Sequence, residues 1–236
     1  MVTSKDGTLL AVGSVGAGPA VVCVGGALND RGSTAPVAAA MTGFTVYSYD
    51  RRGRGDSGDT QPYAVAREIE DLAAVIEEAG GSAMVYGMSS GGVLALRAAV
   101  AGVPITRLAL YEPPLDAPAG PPDYTARLAS ATPAEALELF LGEVMRMPPE
   151  ALAGMRQSPM WLALEAVAPT LRYDNEVMAD GRIPDVSGLT TPTTVLAGTA
   201  SPDWMRETAA TLAKALPNGT TALLQNQPHN ANLRGC

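Results

Sequence analysis

Along the chain, short apolar runs alternate with stretches in which apolar residues recur every three or four positions. The runs read AVVCVGG (20–26), FTVYSYD (44–50), SAMVYG (82–87), TRLALYE (106–112), TTVLAG (193–198) and TTALLQ (220–225). They are rich in Val, Leu and Tyr and nearly continuous in apolar character, as expected of strands covered on both faces. VAREIEDLAAVIEEAG (65–80) places Val65, Ile69, Leu72, Ala73 and Ile76 on one helical face. VLALRAAVAG (93–102) and WMRETAATLAKALPNG (204–219) behave similarly, the last stopping at Pro217-Asn218-Gly219. This alternation predicts an α/β fold with a mostly parallel sheet wrapped by helices. Residues 3–15 are expected to add an antiparallel hairpin at its edge.

The alternation breaks between Glu112 and Thr193. The intervening stretch is first proline-rich (PPLDAPAGPPD), then helical in PAEALELFLGEVMRM (133–147), PEALAGM (149–155) and MWLALEAVA (160–168). Met145, Met147, Met155, Met160 and Trp161 concentrate here. Such side chains suit a helical core. They also suit a cavity lining, because methionine adapts to varied apolar shapes.

A chain of 236 residues with 47% hydrophobic content fits one sizeable domain. Glycine and proline, nearly a fifth of the residues, are spread between apolar runs and read as turns. The net charge of −8 argues against a nucleic-acid partner, which needs clustered Lys and Arg. Arg51, Arg52 and Arg54 are the densest basic group, and Asp50 and Asp56 beside them predict a loop with local ion pairs. The excess of arginine over lysine fits a GC-rich bacterial genome. MVTSKDGTLL lacks the apolar segment of a leader, and Arg97 interrupts the best apolar run, so neither signal peptide nor membrane span is expected. Cys23, in an apolar run, and Cys236, the last residue, suggest a reducing compartment, hence a cytoplasmic location. One histidine and two distant cysteines cannot build a zinc site, and no G-x-G-x-x-G follows a strand. No metal and no cofactor are expected.

The chemistry starts at YGMSSGGVLAL (86–96), where two serines lie between glycines after a strand-like run and before a helix-like one. Gly87-Met88-Ser89-Ser90-Gly91 satisfies G-x-S-x-G only with Ser89 at its centre. A strand–turn–helix context is what a strained turn needs to project a hydroxyl beyond a sheet edge. A serine hydroxyl is a poor nucleophile without a base, and His229 is the single imidazole of the chain. It follows the final strand-like run, where a parallel sheet brings it to the edge that carries Ser89.

These features resemble the α/β-hydrolase family over nearly the whole chain. Asp50-Arg51-Arg52-Gly53-Arg54-Gly55-Asp56-Ser57 is similar to the family's D-x-R-G-x-G-x-S segment, and Val24-Gly25-Gly26-Ala27 to its oxyanion turn, with Gly25 where histidine is common. The resemblance implies a single domain over 1–236: a core of 1–112 and 191–236 with about eight strands, and a helical lid insert at 113–190. It also implies that the backbone N–H groups of Ala27 and Ser90 hold the tetrahedral oxyanion.

The acid is less clear. Family members usually place Asp after the seventh strand, and here Gly198-Thr199-Ala200-Ser201-Pro202-Asp203 puts serine at that position. Asp203 lies two residues late, at a helix start where it is expected to cap. A second family topology, that of haloalkane dehalogenases, puts the acid directly after the sixth strand, and Glu112 matches it. Glu112 is the favoured acid, Asp203 the alternative and Asp174 a remote candidate. After His229 only NANLRGC remains, whereas family members usually continue into a C-terminal helix. Three readings of that shortened end stay open: a dispensable helix, a second subunit covering the flank as a homodimer, or impaired activity.

The expected function is a serine hydrolase that cleaves a small apolar ester, lactone or thioester by acyl transfer through Ser89. The alternatives are a binding or scaffold protein on the same fold, and a perhydrolase or cyclase using the same site.

Overall fold

A computed structural model of the chain describes residues 1–118 and 120–229. At the N-terminus, β1 (Val2–Thr3) and β2 (Leu9–Leu10) form a small antiparallel ladder of their own. A turn closes it, with the Thr8 N–H donating to Asp6 Oδ1 at 3.0 Å. The ladder ends at Ala11, whose N–H leaves the pairing line to donate to Ser57 Oγ at 2.8 Å. The chain then resumes as β3 (Val12–Gly16) in the main sheet. The edge hairpin expected over 3–15 is therefore split into two pieces, and among the described residues the main sheet has seven strands where about eight were expected.

That sheet is completed by β4 (Ala20–Val24), β5 (Thr45–Tyr49), β6 (Ala83–Met88), β7 (Ile105–Tyr111), β8 (Thr193–Gly198) and β9 (Gly219–Leu224). Its order is β3-β5-β4-β6-β7-β8-β9, with β3 antiparallel to β5 and every other pair parallel. The carboxyl ends of β6, β7 and β9 therefore share one edge, and the residues that follow these strands can meet there.

The connections are helical. They include α1 (Ala35–Ala40), α2 (Val65–Glu78) and α3 (Ser90–Val100) before the insert. The insert carries α4 (Tyr124–Ser130), α5 (Pro133–Glu138), α6 (Pro149–Arg156), α7 (Met160–Val167) and α8 (Leu171–Met178), and α9 (Asp203–Ala215) follows β8. The main core joins Leu72, Val75 and Ile76 of α2 to Leu94 and Leu96 of α3, Leu110, Val195 and Leu212, all fully buried. Burial of each such side chain is worth about 1.5–3 kcal/mol. Glu68 and Asp71 share the buried face of α2, a departure from its simple apolar stripe.

The insert divides in two. Leu128, Ala136, Leu137, Leu141, Trp161, Ala168 and Leu171 form a second core, against which Ala27 and Leu28 pack from below. Val177, Val186 and Leu189, by contrast, belong to the main core, so the end of the insert, from Val177 on, is seated in the body of the domain. Trp161 is buried in the second core with Met147 and Met155 against it, whereas Met160 is 60% exposed. Unbranched methionine fills the irregular gaps between short helices. Among the described residues, no helix is long and apolar enough to cross a membrane. The end of the chain beyond His229, Cys236 included, lies outside the described residues.

Candidate active site

Ser89 occupies the one-residue turn between β6 and α3, with φ 53° and ψ −128°. Positive φ is costly for a residue with a side chain and persists only where the surroundings impose it. Here the Ser89 N–H donates to the Tyr111 carbonyl at 2.9 Å, and the Gly92 and Val93 N–H groups return to the Ser89 carbonyl. The flanking glycines are a matter of space. A Cβ at Gly91 would collide with the carbonyl oxygens of Val24 and Gly25, and one at Gly26 would stand 3.0 Å from Ser89 Cβ. The turn that holds Gly25 and Gly26 is thus pressed directly against Ser89.

His229 lies where β9 returns to that edge. Its Nε2 is 3.2 Å from Ser89 Oγ, and its Nδ1 is 2.7 Å from Glu112 Oε2. An ionised carboxylate can only accept, so Nδ1 carries the proton toward Glu112 and the Nε2 lone pair faces the Ser89 hydroxyl. The segment leading to the imidazole is tied down. The Tyr111 hydroxyl donates to the Pro228 carbonyl at 2.6 Å, the Ala200 N–H to Gln227 O at 3.1 Å, and the Asn226 N–H to Thr199 Oγ1 at 2.8 Å.

Glu112 sits at the end of β7 with φ 47°, a left-handed kink that turns its side chain into the interior, where it is 1% exposed. Its Oε1 accepts the Gly198 N–H at 2.7 Å. Burial alone would raise this carboxyl, but the hydrogen bonds from His229 and the Gly198 N–H help to hold it below the usual range. Ser201, at the position where an aspartate was expected, is buried. Asp203 is not brought to the site. Its side chain is 84% exposed and ion-paired with Arg206. It does not cap α9 either, because the N-cap is Pro202 and Asp203 is the first helical residue.

Of the two expected oxyanion donors, Ser90 opens α3, so its N–H is a first-turn group with no acceptor inside the helix. Ala27 follows Gly26 beside Ser89. Behind both lies a buried ion cluster. Arg51 makes a two-pronged contact with Glu68 at 2.6 and 2.7 Å and reaches Asp174 Oδ1 at 2.7 Å. Arg54 Nη2 spans both Asp174 oxygens at 2.9 and 2.8 Å, and the Ser90 hydroxyl donates to Oδ1 at 2.7 Å. Burial pushes the Asp174 carboxyl upward, but Arg54, Arg51 and Ser90 keep it below the ordinary carboxylate range. Arg52 pairs separately with Asp71 and Asp6. The arginines were expected to pair locally. Instead Asp50 and Asp56 go to Arg31, and the three guanidiniums find acids far along the chain.

A family model described as the alpha/beta hydrolase family matches residues 21–234. The chain belongs to the α/β-hydrolase family. Among solved structures, an α/β hydrolase from Sphaerobacter thermophilus is 49% identical with a TM-score of 0.92, over 99% of this chain and 95% of that one. A hydrolase from Pseudomonas aeruginosa shares 23% identity at a TM-score of 0.78, covering 100% and 93%. An enol-lactonase from Burkholderia xenovorans shares 23% at 0.72, covering 95% and 91%. A comparison with curated proteins finds no match. In this α/β hydrolase, sequence reasoning missed Glu68, Arg54 and the part that Asp174 plays. The available signal was two acids on the apolar face of α2, at a spacing that calls for buried cationic partners.

Proposed function

We propose that the protein is a serine hydrolase that acts by acyl transfer on a carboxylic ester, lactone or thioester. The observation that carries this reading is the hydrogen-bonded line from Ser89 through His229 to Glu112. Ser89 Oγ attacks the substrate carbonyl carbon while its proton passes to His229 Nε2. The Ala27 and Ser90 N–H groups receive the charge that develops on the carbonyl oxygen. Collapse breaks the bond to the leaving group, which takes the proton from His229. Water then attacks the acyl-serine, gives its proton to the same nitrogen, and Ser89 is regenerated. Glu112 orients the imidazole and balances the imidazolium while it exists. The helical insert, whose second core rests on Ala27 and Leu28, serves as the lid and sets the substrate's shape.

Relatives named as an esterase, an enol-lactonase and an N-acyl homoserine lactone degrading enzyme share the fold and support this substrate range. Cys23 is buried and its thiol is pushed up to about 12 by burial, which fits an inert core residue in a reducing compartment. The test is labelling with a fluorophosphonate probe, followed by a panel of p-nitrophenyl esters, lactones and thioesters. Labelling at Ser89 with turnover of one of these is expected. Labelling without such turnover points to a perhydrolase or cyclase using the same nucleophile, and absence of labelling points to a binding protein.

A further inference from the structure

We propose that Arg54 is a positioning residue for the oxyanion turn, held in register by Asp174 from the helical insert. The inference rests on the acyl-transfer reading above and assigns a task to charges that the proton relay does not use. The carbonyl of Gly26 and the N–H of Ala27 belong to one peptide group, and in a trans peptide they point in opposite directions. Arg54 Nη1 donates to that carbonyl at 2.6 Å, and the Asn29 N–H joins it at 3.2 Å. With its carbonyl pinned on the interior side, the peptide plane has no freedom to rotate, and the Ala27 N–H is aimed the opposite way. A charged donor on the carbonyl also polarises the amide and makes its N–H a stronger donor. The preceding peptide group is held at both ends. Arg51 Nη1 lies 3.4 Å from Gly25 O, and the Gly26 N–H donates to Asn29 Oδ1 at 3.0 Å.

Asp174 makes this arrangement a single unit. Its carboxylate accepts from Arg54, from Arg51 and from the hydroxyl of Ser90, whose own N–H is the second expected donor. One carboxylate on α8 therefore ties together the supports of both donors, and seating of the insert is coupled to their aim. The cluster is dry: Arg51, Arg54, Glu68 and Asp174 are all at most 5% exposed. Two cations face two carboxylates, so it is neutral. Buried ion sets of this kind gain little stability over apolar packing of the same volume. Their value here is geometric. Arg52 supplies an internal contrast. It is equally buried, yet its hydrogen bonds go to Asp71, Asp6 and the Arg67 carbonyl, and none reaches the turn.

The experiment compares two double variants: Arg54→Met with Asp174→Leu, which leaves Arg51 paired with Glu68, and Arg52→Met with Asp71→Leu, which leaves only the partly exposed Asp6 without its arginine. Turnover is measured per Ser89 titrated to end-point with a fluorophosphonate, which removes any loss of folded protein from the comparison. The first variant is expected to lose about 10- to 100-fold in kcat with KM changed less than threefold. This is short of the roughly 10²–10³-fold caused by deleting a donor outright. The second should stay within about twofold of wild type. Arg54→Lys, which keeps the charge but not the fork, covers the case in which the first variant does not fold, and should fall several-fold per site. Unchanged kcat in the Arg54 variants, or equal losses in both pairs, overturns the proposal. The Ala27 amide proton resonance provides a readout without turnover. It should move upfield when Arg54 is replaced and stay in place when Arg52 is. If the wild-type protein neither labels nor turns over, the hydrolase reading fails by itself, and an unmoved Ala27 amide then refutes the pinning separately.

Discussion

Ser89 and Ser90 are adjacent, and each hydroxyl ends on a buried carboxylate, but by different routes. Ser89 reaches Glu112 through the imidazole of His229. Ser90 donates directly to Asp174, whose remaining contacts are guanidinium groups. An imidazole between hydroxyl and acid can accept a proton on one nitrogen while the other stays hydrogen-bonded, so that line can carry charge out and back. Guanidiniums do not release protons near neutral pH, so the Ser90 side can only hold its geometry. On the proposed reading, one step along the backbone separates a group that reacts from a group that stays still. The peptide between them, the Ser90 N–H included, belongs to both systems.

The sharpest way to break this contrast is to remove each hydroxyl in turn. Ser89→Ala should lower kcat/KM by about 10⁴- to 10⁶-fold, the scale seen when a triad nucleophile is lost. Ser90→Ala keeps the backbone donor and should stay within about tenfold. Steady-state kinetics on one ester decides the matter, and similar losses in both variants would show that the reacting serine is misassigned.

The next largest effect lies on the acid. Glu112→Gln leaves a neutral side chain of the same shape against His229 Nδ1, so the wrong tautomer is favoured and the imidazolium loses its counter-charge. A fall of up to about 10⁴-fold in kcat is expected, by analogy with replacing the acid of a serine protease triad. Folding should persist. Wild-type kcat in a correctly folded Glu112→Gln protein would remove Glu112 from the relay.

Which of the two regions could be read from sequence follows from how each is encoded. The strands declare themselves because β4 and β6 are largely buried on both faces, and β7 and β8 still carry nearly continuous apolar runs. The turn at Ser89 is legible because Gly87, Gly91 and Gly92 are demanded by close backbone approach, and that demand is local. His229 was the one imidazole available to choose, and it lies beside Ser89. Pattern favoured Glu112 as the acid but kept Asp203 as an alternative, since both follow strands. What separates them is the left-handed backbone at Glu112, which turns one side chain inward, against the exposed helix start at Asp203. The Asp174–Arg54 pair spans 120 positions, and no periodicity connects its members. Glu68 and Asp71 went unread because the stripe of α2 was drawn from apolar residues alone, and here two acids line its buried face. The break between β2 and β3 coincides with a backbone detour at Ala11 toward Ser57, a contact 46 residues away.

On the static side, Asp174→Asn tests stability more than proton transfer. It leaves two buried guanidiniums facing a single carboxylate, a loss worth about 3–5 kcal/mol when one partner of a buried pair is removed. Urea unfolding at neutral pH measures it. The pH dependence sharpens the comparison further. Burial raises the Glu68, Asp174 and Glu112 carboxyls, but their partners more than reverse this, so all three titrate lower in the folded protein than their ordinary values of 4.5, 3.8 and 4.5. A depressed folded value means that the unfolded chain binds protons first as pH falls. Their contribution is therefore complete above about pH 5, and is lost as pH drops through and below the ordinary carboxylate range. In Asp174→Asn the acid-side slope of stability against pH should be shallower. An unchanged slope would mean that Asp174 is not held ionised by the cluster.

The smallest effect is expected at the carboxylate that neither region uses. Asp203 stands at the first position of α9, where it faces the partial positive charge of the helix N-terminus and pairs with Arg206 three residues on. Its side chain is 84% exposed, so water and salt screen both interactions. No hydrogen bond to a backbone N–H of α9 is made, and the loss of about 1 kcal/mol that accompanies removal of a true N-cap does not apply. Asp203→Asn should lower stability by about half a kcal/mol or less at low ionic strength, with the difference shrinking further in 0.5 M salt, and should leave kcat unchanged. Arg206 keeps its contacts to the Ser201 and Thr199 carbonyls in that variant, so the loop beside Glu112 stays in place. A kcat loss comparable to that of Glu112→Gln would reverse the assignment of the acid, because an exposed side chain on α9 could act at that strength only by swinging in to reach His229.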